Sequence, residues 1–235
     1  MELPFFYNEN LMGEGNTLTV NEDTSRHLIQ VLRMKTGDRL KLTDGKGKLL
    51  TCMVDEPHKK HCTVIIERSE ILPGFSTAVT IAISLIKNPS RFEWFLEKAT
   101  ELGITSIVPL ICERTEKERF RYDRMQGICI SAMLQSQQAW LPALSEPVQF
   151  IDFIQSDRSE LRLIAHCEED KKLVINDVLV RAGSVSILIG PEGDFTSAEI
   201  NLALKNGIVP VSLGSTRLRT ETAGIAAVVL MRKYD

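Results

Sequence analysis

With 235 residues, 43% apolar and 25% charged side chains, the chain has the make-up of a globular protein with one large core or two modest ones. A formal net charge of −3 gives no sign of a general polyanion binder, and no apolar run approaches membrane-spanning length. Five cysteines, an odd number without a C-x-x-C pair, fit reduced thiols in a cytoplasmic protein better than a disulfide frame, and the N-terminus lacks the basic-then-apolar pattern of a secretory leader.

The first seventy residues read as short β-rich runs: Pro4–Tyr7, Thr17–Val20, Arg39–Thr43, Leu49–Val54 and Cys62–Glu67, several of them separated by turns such as Asp44-Gly45-Lys46-Gly47. One helix is predicted over Thr24–Met34, burying Leu28, Ile29, Val31 and Leu32 and leaving Arg26 and Arg33 in water. A small, partly closed β-barrel fits this pattern. Between Arg26 and Lys48 seven Lys or Arg face only Asp38 and Asp44, a local charge of +5 suited to phosphate. His58-x-x-His61-Cys62 has the side chains of a zinc site but lacks a fourth ligand nearby, so an exposed hairpin and no metal is the reading. Pro73-Gly74 marks the expected linker, dividing the chain into domains at 1–72 and 73–235.

From Val79 onward strand and helix alternate. Strands are predicted at Val79–Leu85, Ile104–Leu110, Leu161–His166, Val185–Ile189 and Ile208–Leu213, which makes a doubly wound parallel sheet the default. A first helix, Pro89–Leu102, buries Phe92, Phe95, Leu96, Ala99 and Leu102. Glu97 and Glu101 lie one turn apart on another side, as solvated charges or a dimer contact. A second helix is predicted over Lys117–Trp140, with Arg119, Arg121 and Arg124 at its start. The last helix, Glu221–Arg232, has Ala223, Gly224, Ala226 and Ala227 in its first half, small residues suited either to packing inside one subunit or to a dimer interface.

Two loops near the C-terminus carry the chemistry. Leu188–Thr196 (LIGPEGDFT) and Leu213–Thr222 (LGSTRLRTET) each follow a buried strand and precede a helix, the place where open α/β sheets bind ligands. Gly190 and Gly193 leave the backbone bare for a flat ligand, Pro191 stiffens the turn, and Glu192 can accept hydrogen bonds. Thr196 and Glu199 have capping-box spacing. Arg217 and Arg219, then Thr220, Glu221 and Thr222, are too polar for a simple connector. Neither G-x-G-x-x-G nor G-x-x-x-x-G-K-[ST] occurs, which argues against a standard dinucleotide site or P-loop, and an adenosine-type ligand held by backbone groups fits better.

These loops, with LIKNPSRFEWFLEKATELG (Leu85–Gly103) and HLIQVLRMKTGDRLKLTDGKG (His27–Gly47), resemble the RsmE-type uridine-N3 methyltransferases of small-subunit ribosomal RNA, members of the SPOUT class. The resemblance spans nearly the whole chain, with one departure: where the family has an E-Q-S-G-R-like run, this chain has Leu134-Gln135-Ser136-Gln137-Gln138. The resemblance implies an α/β fold with a SPOUT-type parallel sheet and a C-terminal trefoil knot, plus a small N-terminal PUA-like β-barrel for RNA. It also implies S-adenosyl-L-methionine as cofactor, 16S ribosomal RNA in the assembled small subunit as partner, and a homodimer. The expected cofactor residues are His166, Ile189, Gly190, Pro191, Glu192, Gly193, Leu213, Gly214, Leu218, Thr220, Thr222 and Ala223. Arg26, Arg33, Lys35, Arg91, Lys98 and Arg114 are the expected phosphate contacts.

N3 of uracil is a poor nucleophile until its proton leaves, and negative charge then spreads onto O2 and O4. Arg219 is assigned to that charge, and Glu221 either positions the arginine or accepts the proton. Because N3 lies on the Watson–Crick edge, the uridine must be unpaired or flipped out. Two other readings stay open: an RNA-binding protein that no longer methylates, and a related methyltransferase acting on transfer RNA.

Overall fold

The structure, a computed structural model, describes residues 3–12, 15–116, 119–168, 171–179 and 182–232. The chain separates into two compact bodies, residues 1–74 with 133–141, and residues 75–132 with 142–235.

The first body is a five-stranded sheet of β1 (Phe5–Tyr7), β2 (Thr17–Thr19), β3 (Arg39–Thr43), β4 (Lys48–Glu56) and β5 (Thr63–Ile71), in the order β1-β3-β4-β5-β2. β1 runs parallel to β3 and the other pairs are antiparallel. Period-two patterning sends Leu40, Leu42, Leu50, Cys52, Val54 and Val64 into one core, and register shifts between β4 and β5 curl the sheet. The β3–β4 turn is fixed by Asp44, whose Oδ1 accepts from the Lys46 and Lys48 amides. Gly47 has φ +89°, and a Cβ there would lie 2.3 Å from the Trp140 ring.

The helix expected over Thr24–Met34 is shorter and wider than its apolar spacing suggests. α1 (Glu22–Arg26), capped by Asn21, passes into a π-helical turn at His27–Val31, closed by the Leu32 amide donating to the His27 carbonyl. The extra residue per turn rotates the apolar positions apart. Leu28 is fully buried, Ile29 partly so, whereas Val31 is 64% and Leu32 43% exposed.

The second body is built on an all-parallel sheet. In chain order it contains β6 (Ala78–Ser84), α2 (Pro89–Glu101), β7 (Ser106–Ile111), α3 (Tyr122–Gln135), β8 (Ala143–Leu144), β9 (Val148–Gln149), α4 (Phe150–Ser156) and β10 (Leu161–Ala165). There follow β11 (Leu173–Val174), α5 (Ile175–Val178), β12 (Ser184–Ile189), α6 (Ser197–Lys205), β13 (Val209–Ser212) and α7 (Thr220–Arg232). The strand order is β11-β13-β10-β12-β6-β7-β8, with β9 also pairing β7. Central strands such as β12 (SVSILI) are buried along both faces because both are covered. All five predicted strands form; the two-residue strands and the short helices α4 and α5 are too brief to give a periodic signal.

Two helices have boundaries that differ from the sequence reading. α2 ends at Glu101, so Leu102 caps it and is 39% exposed rather than buried. α3 begins at Tyr122, which leaves Arg119 and Arg121 in the preceding loop; the Lys117 of the expected start lies outside the described residues. It ends at Gln135 because Gln137 is left-handed (φ 58°), with the Gln137 and Gln138 amides turned back onto the Leu134 and Met133 carbonyls.

α7 packs on α2, β6 and β12. A Cβ on Gly224 would meet Phe95 at 2.6 and 2.9 Å and Ile83 at 3.0 Å, and both side chains are fully buried. Close packing inside one body therefore accounts for this glycine. Gly224→Ala should lower stability by about 1–3 kcal/mol through overpacking, outweighing the gain of roughly 1 kcal/mol in helix propensity. Denaturant unfolding checks this, and a variant as stable as the parent would contradict the packing.

Candidate functional site

Because β10, β12, β6 and β7 are neighbouring parallel strands, their carboxyl ends lie side by side, and the loop after β12 lies among the other three. That loop is a tight turn, the Asp194 amide donating to the Pro191 carbonyl at 2.9 Å. Each neighbouring strand exit holds it. Glu192 Oε1 accepts from the Lys87 amide after β6 (3.1 Å), and Asp194 Oδ2 accepts from the Cys167 amide after β10 (2.7 Å). Arg114, after β7, donates to the Gly193 carbonyl at 2.7 Å.

The loop is closed by the capping box of α6. Thr196 Oγ1 receives the Glu199 amide, Glu199 Oε2 receives the Thr196 amide, and Glu199 Oε1 reaches the Glu113 amide at 2.9 Å. Asp194 takes a left-handed φ of 65°, which aspartate tolerates, and its Oδ1 accepts from the Phe195 amide at 2.9 Å. The two glycines of this loop have different surroundings. A Cβ on Gly190 would lie 3.1 Å from both the amide nitrogen and a ring carbon of the buried Phe195, so this glycine serves loop closure. At Gly193 a Cβ would find only ordinary contact with Arg114.

The second loop lies beside the first. Gly214 has φ +147°, a backbone that a side chain disfavours, and the Ala223 amide donates to the Arg219 carbonyl as α7 begins. Between the loops are two adjoining cavities of about 330 and 340 Å³ that share walls at Ala165, Cys167, Arg217, Leu218 and Ala223. The first takes in Ile189, Gly190, Pro191, Glu192, Arg219 and Thr220; the second takes in His166, Leu213 and Gly214. Of the expected cofactor residues, Gly193 and Thr222 lie outside both linings.

Glu221 is 6% exposed at the first turn of α7. Its Oε1 is 3.7 Å from Arg91 Nε, and its buried Oε2 has no hydrogen-bond partner among the described residues. The arginine that the structure pairs with Glu221 is thus Arg91, from α2, while Arg219 stands exposed at the cleft.

A family model described as an RNA methyltransferase domain matches residues 74–232, and one described as an RNA methyltransferase PUA domain matches residues 20–67. The chain belongs to the RNA methyltransferase family. A ribosomal RNA small subunit methyltransferase E from Synechocystis sp. is 32% identical over 90% of this chain and 71% of its own length. The crystal structure of a ribosomal RNA small subunit methyltransferase E from Neisseria gonorrhoeae bound to S-adenosyl methionine is 30% identical. It superposes with a TM-score of 0.89 over 99% of this chain and 98% of that one. A probable rRNA-methyltransferase from Porphyromonas gingivalis is 36% identical, with a TM-score of 0.91 over 99% and 100% of the two chains.

In this RNA methyltransferase the expected phosphate contacts are placed unevenly. Arg33 and Lys35 are exposed, but Arg26 pairs with Glu22 at 3.1 Å, and Arg39 forks onto Glu67 at 2.8 and 3.0 Å, so the +5 counted along the chain is smaller in space. Lys98 is gripped by Glu97 (2.7 Å) and Glu101 (2.9 Å), which raises its pKa, and this contact is also the use of that glutamate pair. Arg91 and Arg114 have the partners given above. His58 Nδ1 accepts from the Lys60 and His61 amides, and its ring stacks on His61 at 5.5 Å, so this imidazole shapes its own turn.

Sequence reading missed Asp194, Cys167 and Arg114 as parts of the loop clamp; the S/T-x-x-E cap just after Asp194 was the one local signal. Burial pushes the Cys52 and Cys112 thiols up to about 12 and Cys129 to about 11, and raises Cys62, whereas Cys167 is exposed in the cleft wall. Ellman's reagent should therefore titrate one thiol per native chain at neutral pH, and Cys167→Ser should abolish that fast phase. Two or more fast thiols would contradict this placement.

Proposed function

We propose that this chain transfers a methyl group from S-adenosyl-L-methionine to N3 of one specific uridine in 16S ribosomal RNA, presented in the assembled small subunit. The observation that carries the reading is the pair of loops at the carboxyl ends of β12 and β13, the first clamped by three strand exits, in a chain that matches a cofactor-bound relative along 99% of its length. The paired cavities fall in the size range of small-molecule sites, and their walls offer backbone groups and apolar side chains suited to an adenosine. His166, Ile189, Gly190, Pro191, Leu213, Gly214, Leu218 and Ala223 form that wall, with Glu192 and Thr220 as polar fixtures.

When bound, the cofactor supplies an electrophilic methyl on a sulfonium sulfur, which becomes a thioether as N3 takes the methyl. The protein's own part is to line N3 up with that methyl and to manage one proton and the charge it leaves behind. Arg219 meets the charge developing on O2 and O4. Glu221, paired with Arg91 and with its Oε2 unpartnered among the described residues, is the group assigned to accept the N3 proton in this proposal. Residues 1–72 form the RNA-binding domain, with Arg33 and Lys35 toward phosphate, and 73–235 form the catalytic domain. In keeping with the trefoil knot, the chain leaves the sheet at β13, near one edge, and returns as α7 against the central strands β6 and β12. A homodimer in the cytoplasm completes the proposal; Trp94 on α2 and Val229 on α7 are exposed apolar side chains available to a second copy.

Labelled S-adenosylmethionine, incubated with undermethylated small subunits, free ribosomal RNA or transfer RNA, should place label on uracil N3 of the small-subunit RNA. Label on transfer RNA, or on nothing, would favour one of the other two readings. Arg219→Ala should cut kcat by about 10²-fold or more, as for loss of a charge-stabilising group, with cofactor affinity nearly unchanged. A parallel loss in affinity would move Arg219 from chemistry to binding.

A further inference from the structure

A third cavity, of about 330 Å³, lies in the second body outside the two-loop cleft. Its walls come from the end of β6 (Leu85, Ile86), the first turns of α2 (Phe92, Glu93) and the loop entering α3 (Arg119, Phe120). Leu85, Ile86 and Phe92 are buried and make an apolar floor. Phe120 is half-buried, held edge-on by Phe92 (6.2 Å, 82°) and Tyr122 (6.5 Å, 60°), so its ring is fixed but not covered.

Three guanidinium groups rim this recess. Arg124 is forked onto Glu93 at 2.6 and 2.9 Å, so its charge is compensated and braces the wall. Arg119 and Arg121 are exposed and form no ion pair among the described residues. An apolar slot with an aromatic ring and two cations that have no ion-pair partner among the described residues complements a nucleotide, with base in the slot and phosphate on the rim. The recess is linked to the cleft along the chain: between Ile86 and Pro89, both in its wall, lies Lys87, whose amide holds Glu192, and between Pro89 and Phe92 lies Arg91, which pairs with Glu221.

We propose that this recess binds a nucleotide of the RNA strand flanking the methylated uridine, its base against Phe120 and its phosphate on Arg119 and Arg121. The inference rests on the methyltransferase reading and adds to it a specificity subsite. The site takes one unpaired base, and holding that base helps keep the neighbouring uridine out of its stack.

The test compares wild type, the double variant Arg119→Ala/Arg121→Ala, Phe120→Ala and Phe120→Tyr on undermethylated small subunits. In the double variant KM for RNA should rise at least tenfold, and the slope of log affinity against log salt should shrink by roughly 1.4, about 0.7 for each lost single-strand phosphate contact. Phe120→Ala should raise KM about tenfold, as for the loss of one base stack, and Phe120→Tyr should restore it. Cofactor affinity, measured by calorimetry, should stay at the wild-type value in all three. If Phe120→Ala does not fold, the exposed arginine pair alone carries the test. Unchanged KM and salt slope in an active enzyme would overturn the subsite, as would a shift in oligomeric state with unchanged KM, which would seat a second protein copy there. An inactive wild type would instead sink the methyltransferase reading.

Discussion

The structure around the cleft depends on four residues, Pro191 to Asp194, being fastened to three other strand exits at once. Glu192 takes an amide after β6, Asp194 an amide after β10, and the Gly193 carbonyl takes Arg114 after β7. All three bonds have a charged partner, a carboxylate or a guanidinium, and so are stronger than neutral ones. A loop held on three sides presents its backbone in one geometry, which is what recognition of a small planar ligand requires.

That fastening is possible only because the sheet is parallel and β12 lies between β10 and β6. Parallel order puts all the strand exits on one edge, and apolar strands buried on both faces give the loops a rigid base. α7 then brings its first turn to the same edge, and Gly224 lets it approach Phe95 and Ile83 closely enough for Glu221 to reach Arg91. Packing and site are therefore coupled: the glycine that seats the helix also sets where a buried carboxylate lies.

Much of this was legible in the sequence, for local reasons. The five strands beyond Val79 are rich in Ile, Val and Leu, the α6 cap uses the S/T-x-x-E spacing, and both polar loops stand out against the strands that precede them. What could not be read depends on partners far away in the chain. Arg114 is separated from Gly193 by 79 residues and Lys87 from Glu192 by 105, so no window of sequence shows either pairing. Charge counted along the chain likewise overstates the basic patch, because Glu67 lies across the sheet from Arg39. The π-helical turn at His27–Val31 shares its apolar residues with an ordinary helix, and only its hydrogen bonding tells them apart.

The most direct test of this account is titration calorimetry of S-adenosylmethionine into the wild-type chain and into Asp194→Ala, which removes the acceptor for the Cys167 and Phe195 amides. Saturable binding to the wild type and about tenfold weaker binding to the variant, at unchanged overall fold, is the predicted result; a tenfold loss corresponds to about 1.4 kcal/mol, the scale of one charge-assisted hydrogen bond. No heat with the wild type, or equal affinity in the two proteins, would contradict it.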